Sequence, residues 1–383
     1  MSFVVPVGPQ HPALEEPEHF RITVEGEEIV DVNFRLGYMH RGIEKAFEEK
    51  NFDRALYLAE RICGICSGIH TVASVETIEQ LADIEAPRRA KYIRTMVAEL
   101  ERVHSHLLWA GIAAHEIGFM TLFQLVWRDR ERVMDVLEML SGNRVQYSAN
   151  KIGGVRFDVK PKHLDKITNV LNQLEEDTHH YIDVFTSDET VIARVQGEGV
   201  LSKKKAKELS AVGPTARASG VDFDVRRDDP YCAYDEIDVD VKVAEAGDVL
   251  ANAKVRLLET LESIRILREA VDRMPQGKIA VQPPKEFPEA QATNRVEAPR
   301  GELVYHFKSD GGEHPFRGKV RAPTLGNIPP IVEKLKGETV AEVPIVVASI
   351  DPCFCCTERV QVVDKDTGES KIVTKEEMRE MRE

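Results

Sequence analysis

The six cysteines are Cys63, Cys66, Cys232, Cys353, Cys355 and Cys356. Four of them form two C-x-x-C pairs near opposite ends of the chain, in RICGICSGIH (Arg61 to His70) and DPCFCCTER (Asp351 to Arg359). A C-x-x-C turn aims two sulfurs at one point. Two such turns brought together offer four thiolates to one centre, and soft sulfur selects zinc, iron or a late transition metal such as nickel. The opening MSFVVPVGPQHP has no basic stretch followed by an apolar run, so no secretory signal is expected. Paired cysteines then read as a metal or redox site before disulfides. Spacing alone leaves a structural zinc site with four cysteines open. Two features point away from it. Such sites close small loop-rich modules, whereas these pairs lie far apart in a long chain. The first pair also runs into a helical pattern, Ser67–Ala82, whose N-terminal N–H groups and dipole favour thiolate.

The elements that must position these residues follow from periodicity. FRITVEGEEIVDVNFRLGY alternates apolar and polar residues around a turn at Glu25-Gly26-Glu27 and predicts a hairpin. Helical spacing predicts Asn51–Glu60, Ser67–Ala82, a long helix from Pro87 through Trp109, then 114–141, 161–185, 202–210 and 242–274. The segment 276–300 is rich in proline and polar residues and reads as a structured loop or joint. GELVYHFKSDGG and AEVPIVVASI read as short strands. The tail reads as a hairpin turning near Asp366-Thr367-Gly368, followed by a charged helix. The expected fold is mainly α (α+β): a central helical bundle with small β-structures from the N- and C-terminal segments. Its parts are a β-rich segment 1–50, a bundle 51–275 with the first pair, and a segment 276–383 with the second, integrated in one domain.

The 383 residues carry a net charge of −14, with 42% hydrophobic and 30% charged residues. That balance suits a globular chain and argues against a nucleic-acid binder or direct adhesion to anionic lipid. The most apolar stretch, Leu107–Trp127, has His115 and Glu116 at its middle. It reads as a buried helix rather than a membrane span.

The two cysteine motifs resemble the metal-binding motifs of nickel–iron hydrogenase large subunits. GPQHPALEEP, GYMHRGIEK, ELERVHSHLLWAG, SGNRV, ASGVDFDVRRDDPY and EAPRGE resemble segments of the 49 kDa quinone-site subunit of complex I, and equally its energy-converting hydrogenase relatives. The resemblance implies that Cys63 and Cys353 are terminal nickel ligands and that Cys66 and Cys356 bridge nickel and iron. The iron would carry carbon monoxide and cyanide. Arg300 would reach over the metals, Asp351 would lie near Arg300 and the iron ligands, and His70 would donate to a bridging sulfur. Glu16 is the expected first proton carrier, with Glu15 beside it as an alternative. His11 and His40 lie in segments that line the quinone pocket in the complex I branch. From the residues alone, Arg300 could equally pair with Glu297 or Glu302, and His70 could be a satisfied core histidine.

The implied activity is reversible oxidation of dihydrogen coupled to ferredoxin and to ion translocation, in a complex on the cytoplasmic face of the membrane. No iron–sulfur cluster is expected in this chain. The implied partners are an iron–sulfur small subunit like the 20 kDa subunit of complex I, a 30 kDa-like subunit, a ferredoxin-like subunit, antiporter-like membrane subunits and soluble ferredoxin, with no nucleic acid. The alternative is a complex I-like quinone- or polysulfide-reducing subunit without nickel–iron chemistry. The four cysteines, and arginine rather than lysine at position 300, favour the hydrogenase. Two features depart from the hydrogenase pattern. Cys355 stands where a small residue such as alanine or serine is expected. Beyond Arg359 the chain continues with a patterned segment, which suggests that it is not removed after synthesis. Cys232, remote from both pairs, reads as a buried free thiol.

Overall fold

Alternation in His19–Glu25, where Phe20, Ile22 and Val24 face the core, organises the N-terminal sheet of the computed structural model, which describes residues 2–12 and 14–372. Strands β1 (Ser2–Val7), β2 (His19–Glu25) and β3 (Glu28–Arg35) form an antiparallel sheet in that order, and Phe20, Ile22, Val24, Ile29 and Val32 are buried. Helices α1 (Ile43–Glu48) and α2 (Phe52–Glu60) lead to the first cysteine pair, with Asn51 Oδ1 capping α2 at the Arg54 N–H. Helix α3 (Ser67–Ala82) begins directly after Cys66 and is buried on nearly every side.

The bundle is built from α4 (Arg88–Glu116), α5 (Met120–Ser141), α6 (Pro161–Ser187) and α11 (Val249–Asp272), with α4 packed on α5 and α11, and α11 on α6. The apolar stripe of α6 shows the logic: Ile167, Leu171, Leu174, Tyr181 and Phe185 recur at helical spacing and are buried. Short elements fill the connections: β4 (Asn150–Lys151), β5 (Gly154–Val155), α7 (Glu189–Val195), α8 (Lys203–Glu208), α9 (Gly213–Ala218) and α10 (Val225–Asp228). A second antiparallel sheet, ordered β6 (Phe287–Ala298), β7 (Gly301–Gly312) and β8 (Arg317–Arg321), packs β6 and β7 against α3. Then α12 (Pro323–Leu335) and α13 (Val343–Ser349) precede the second cysteine pair, and β9 (Gln361–Val363) with β10 (Ser370–Ile372) forms the expected hairpin. The two main clusters of buried apolar residues draw on the beginning, middle and end of the chain.

Four expectations are corrected. The helix from residue 88 continues through 109–114 to Glu116, and the break falls at Ile117–Phe119, where Gly118 has φ +86°. The helix placed at 242–274 starts only at Val249, because Asp248 caps it by accepting from the Ala251 N–H at 2.7 Å. The proline-rich stretch 276–300 contains strand β6. It lies at the sheet edge, where Pro288 costs no ladder bond. AEVPIVVASI is helical rather than extended: Pro344 sits in the first turn of α13, and burial of Val343, Ile345, Val346 and Val347 overrides their strand preference. The charged helix expected at the C-terminus lies outside the described residues. Among the described residues, no helix is long and apolar enough to cross a membrane.

Candidate metal centre

The first cysteine turn is shaped by local structure. Cys66 is the N-cap residue of α3, and the Ile65 and Cys66 N–H groups both donate to Cys63 Sγ at 3.2 Å. The N–H groups of Gly68 and Ile69, in the first turn of α3, go to the Glu101 carboxylate on α4 at 2.6 and 2.9 Å. That approach requires glycine at position 68, since an added Cβ would lie 2.8 Å from Glu101 Oε2. Burial pushes the Glu101 carboxyl up to about 8, although the two N–H donors pull the other way. His104 fixes the turn from behind. Arg130 Nη2 donates to its Nδ1 at 3.0 Å, which leaves Nε2–H to donate to the Ile65 carbonyl at 3.1 Å.

The second turn is a single 3-10 turn, Phe354–Cys356, and is tied down from elsewhere in the chain. Cys353 N–H donates to Thr324 Oγ1 at 2.9 Å, and Cys355 N–H donates to Glu16 Oε2 at 2.7 Å. Arg41 donates to the carbonyls of Ile62 at 2.6 Å and Cys355 at 2.9 Å, so one guanidinium clasps both motifs. Glu358 accepts the backbone N–H groups of Arg41, Gly42 and Ile43. Asp351 and Glu358, at either side of the motif, have φ of +55° and +39°, which costs energy in a non-glycine residue.

These anchors bring the thiols together. Cys63 Sγ lies 3.1 Å from Cys66 Sγ and 3.3 Å from Cys353 Sγ, and Cys353 Sγ lies 2.9 Å from Cys356 Sγ. All are buried. The hydrogen bond from Cys353, joined by others from Cys355, Cys356 and Cys66, holds the Cys63 thiol well below the usual range. Burial pushes Cys356 up. Cys355 joins the cluster as a fifth thiol, 3.2 Å from Cys353 Sγ.

Arg300 and Asp351 stand beside the sulfurs. Arg300 Nη2 donates to Asp351 Oδ1 at 2.7 Å, Nε donates to the Asp351 carbonyl at 2.7 Å, and Nη1 donates to Ser105 Oγ at 3.3 Å. Burial opposes the charged guanidinium, but Asp351 and then the sulfurs of Cys66, Cys353 and Cys63 outweigh it and hold Arg300 above its usual range. The partner of Arg300 is thus neither Glu297 nor Glu302. Glu297 is taken by Arg217 at 2.9 Å, and Glu302 by Arg295 and Arg321. A glycine pair makes the turn after Arg300 possible: a Cβ on Gly213, at φ +64°, would lie 2.4 Å from Gly301 Cα.

His70 is buried, and burial pushes it down to about 4, so it is neutral. With the Tyr305 hydroxyl donating to Nδ1 at 2.8 Å, the Nε2–H points at Cys356 Sγ, 3.7 Å away. Glu16 contacts the Cys355 amide rather than a thiol. Its neighbour Glu15, though exposed to solvent, lines the open side of a cavity of about 480 Å³ that runs along Ile65, Leu108, Ile112, Val347 and Pro352. Loss of water to the surrounding walls, then repulsion from Asp351, raises the Glu15 carboxyl to about 7. His11 and His40 are exposed, and His40 lies 3.7 Å from Glu358. Cys232 is buried and donates to Glu76 at 3.3 Å. Reasoning from sequence missed Arg41, Ser105, Glu101, Tyr305, Thr324 and Glu358. Arg41, Ser105, Glu101 and Glu358 lie inside segments quoted for the family resemblance, but nothing local marks them as supports for the cysteine turns.

The donor set fits a soft-metal centre: four converging thiols, an adjoining fixed cation, and an Asp351 Oδ2 that is buried without a hydrogen-bond partner. Residues 116–290 and 281–359 match the family model of the respiratory-chain NADH dehydrogenase 49 Kd subunit, and residues 41–161 match that of nickel-dependent hydrogenases. The chain is 43% identical to the membrane-bound hydrogenase subunit alpha of Pyrococcus furiosus, across 98% of this chain and 91% of that one. It is 38% identical to the carbon monoxide-induced hydrogenase of Rhodospirillum rubrum, across 94% and 99%. Among solved structures it matches a chain of the membrane-bound sulfane sulfur reductase, an archaeal respiratory membrane complex, with a TM-score of 0.89 and 31% identity, covering 94% of this chain and 98% of that one. The chain belongs to the oxidoreductase family that joins the large subunits of energy-converting nickel–iron hydrogenases to the 49 kDa subunit of complex I.

Proposed function

We propose that this chain is the catalytic large subunit of a membrane-associated nickel–iron hydrogenase that interconverts dihydrogen with protons and electrons. The observation that carries the reading is the chain of sulfur contacts from Cys66 to Cys63, Cys353 and Cys356 beside the buried Arg300–Asp351 pair. When bound, a nickel–iron centre with carbon monoxide and cyanide on iron supplies the redox chemistry of heterolytic dihydrogen cleavage. Cys63 and Cys353 would hold nickel, and Cys66 and Cys356 would supply thiolates to both metals. Asp351 and Arg300 present fixed polar groups beside the sulfurs, and His70 Nε2–H aims at Cys356.

Proton handling follows from the electrostatics. Arg300 is held charged by Asp351, so it orients and polarises but is a poor base. Cys353 is the proposed first proton holder. We assign the next step to the Glu15–Glu16 pair. Glu16 is anchored against the second motif, and Glu15, at about 7, exchanges protons at the cavity mouth near working pH. Electrons leave through an iron–sulfur cluster of a small subunit, since no second four-cysteine set stands in this chain. Ferredoxin is the proposed redox partner. The 30 kDa-like, ferredoxin-like and antiporter-like subunits complete a complex that attaches this chain peripherally to the cytoplasmic face of the membrane and couples the reaction to ion movement.

A second reading, reduction of polysulfide or quinone in the same cleft, is favoured by the likeness to the sulfane sulfur reductase and by the fifth thiol, Cys355. Isotope exchange separates the two. The native complex incubated with D2 in H2O is expected to release HD and H2. Absence of exchange, with turnover of polysulfide or a soluble quinone, transfers the assignment to the second reading.

A further inference from the structure

Cys355 is the sulfur that the proposed binuclear centre does not use, yet it is not turned away from the cluster. Its Sγ lies 3.2 Å from Cys353 Sγ and 3.9 Å from Cys356 Sγ, and Cys353 Sγ lies 3.3 Å from Cys63 Sγ. The four sulfurs of Cys63, Cys353, Cys355 and Cys356 all fall within 4.8 Å of one another and are buried. Cys66 is shared differently, grouping with His70 and Cys356. A tetrahedral site with metal–sulfur bonds of about 2.3 Å needs sulfurs about 3.8 Å apart. Cys355 and Cys356 already stand 3.9 Å apart, while Cys353, at 3.3, 3.2 and 2.9 Å from Cys63, Cys355 and Cys356, must draw back from each by about 0.5–0.9 Å, which side-chain rotation can supply. The Cys355 peptide is clamped on both sides, its N–H by Glu16 at 2.7 Å and its carbonyl by Arg41 at 2.9 Å. The direction of its Cα–Cβ bond is set by these tethers. Arg300, buried nearby, offsets part of the negative charge that four thiolates around a divalent cation leave behind.

We propose that Cys355 is a metal ligand in its own right: with Cys63, Cys353 and Cys356 it forms a tetrathiolate site for one soft divalent cation of the zinc class, used when no binuclear centre is in place. Binding exchanges thiol protons for the cation, releases those protons to solvent and involves no electron transfer. The site takes three of the four sulfurs proposed for nickel and iron, so the single cation and the binuclear centre exclude each other. Zinc binding by the chain stands whether or not the hydrogenase reading does; the mutual exclusion rests on that reading.

The test uses the full chain produced without nickel, stripped with a chelator and titrated with Zn2+ against a chromophoric competitor, alongside Cys355→Ser, Cys66→Ser and, as a control, Cys232→Ser. X-ray absorption at the zinc edge counts the sulfurs, and circular dichroism checks the fold. The wild-type chain and Cys66→Ser are expected to bind one zinc through four sulfurs with similar affinity. Cys355→Ser is expected to bind at least about tenfold more weakly, through three sulfurs. Four sulfurs and unchanged affinity in Cys355→Ser, or an equal loss in Cys66→Ser, overturns the proposal. If Cys355→Ser fails to fold, Cys355→Ala and the sulfur count of Cys66→Ser decide: fewer than four sulfurs in a folded Cys66→Ser also overturns it. None of these outcomes bears on isotope exchange by the native complex, so the two ideas fail separately.

Discussion

The two cysteine turns do the same job by different means. The first is the continuation of a helix: Cys66 caps α3, and its own N–H and that of Ile65 point at Cys63. The second contains only a single 3-10 turn, Phe354–Cys356, and no longer helix continues from it. It passes between two residues with positive φ and is held by Thr324, Glu16, Arg41 and the Arg300–Asp351 pair. A site built half from local and half from long-range constraints should respond unequally to substitution. Damage to remote tethers should loosen the second turn while leaving the first intact.

The largest effect is expected at Arg300. Arg300→Met strands the buried Asp351 carboxylate, which costs about 3–5 kcal/mol of stability. Dihydrogen turnover should fall by at least about a hundredfold, while α3 stays protected in hydrogen exchange. Loss of α3 protection would break the comparison. Next is Glu358→Ala, which leaves the N–H groups of Arg41, Gly42 and Ile43 without their acceptor. Denaturant melts should show a loss of about 2–3 kcal/mol. Metal content should drop in parallel, although Glu358 touches no thiol among the described contacts.

Gly68→Ala probes the first turn. Its Cβ must displace the Glu101 carboxylate, at a cost of about 1–3 kcal/mol. Because the cysteine turn lies on the other side of the helix start, metal retention should change less than in Glu358→Ala. The smallest effect concerns Glu18, buried beside the second turn's anchor with neither carboxylate oxygen partnered. Burial, then repulsion from Glu16, raises it to about 8. Its favourable protonated state is fully present below the unfolded value of 4.5 and is lost as pH rises through 8. Glu18→Gln stays neutral, so its stability relative to the wild type should grow as pH rises through this range, by about 1 kcal/mol between pH 7 and pH 8. A gap that narrows as pH rises contradicts the assignment.

The same contrast explains what could be read in advance. Ser67–Ala82, the β2–β3 hairpin and α2 were legible because their signals are local: period and turn glycine. AEVPIVVASI misled because its β-branched residues are placed by burial against α4 and α11 rather than by propensity. Strand β6 was hidden by prolines that only a sheet edge tolerates. The cysteines announced themselves by type and spacing, but Arg41, Thr324 and Glu358 act over separations of 314, 29 and about 316 residues, and no local pattern encodes such contacts. Glu16 was placed beside the second motif, yet on its backbone rather than on a thiol, and the carboxyl with a proton affinity near neutrality is Glu15.

Whether these thiols hold nickel and iron is decided by metal analysis combined with infrared spectroscopy of the native complex. Nickel and iron are expected near one each per chain, with bands in the carbon monoxide and cyanide stretching region. Zinc or no metal, without such bands, contradicts that assignment.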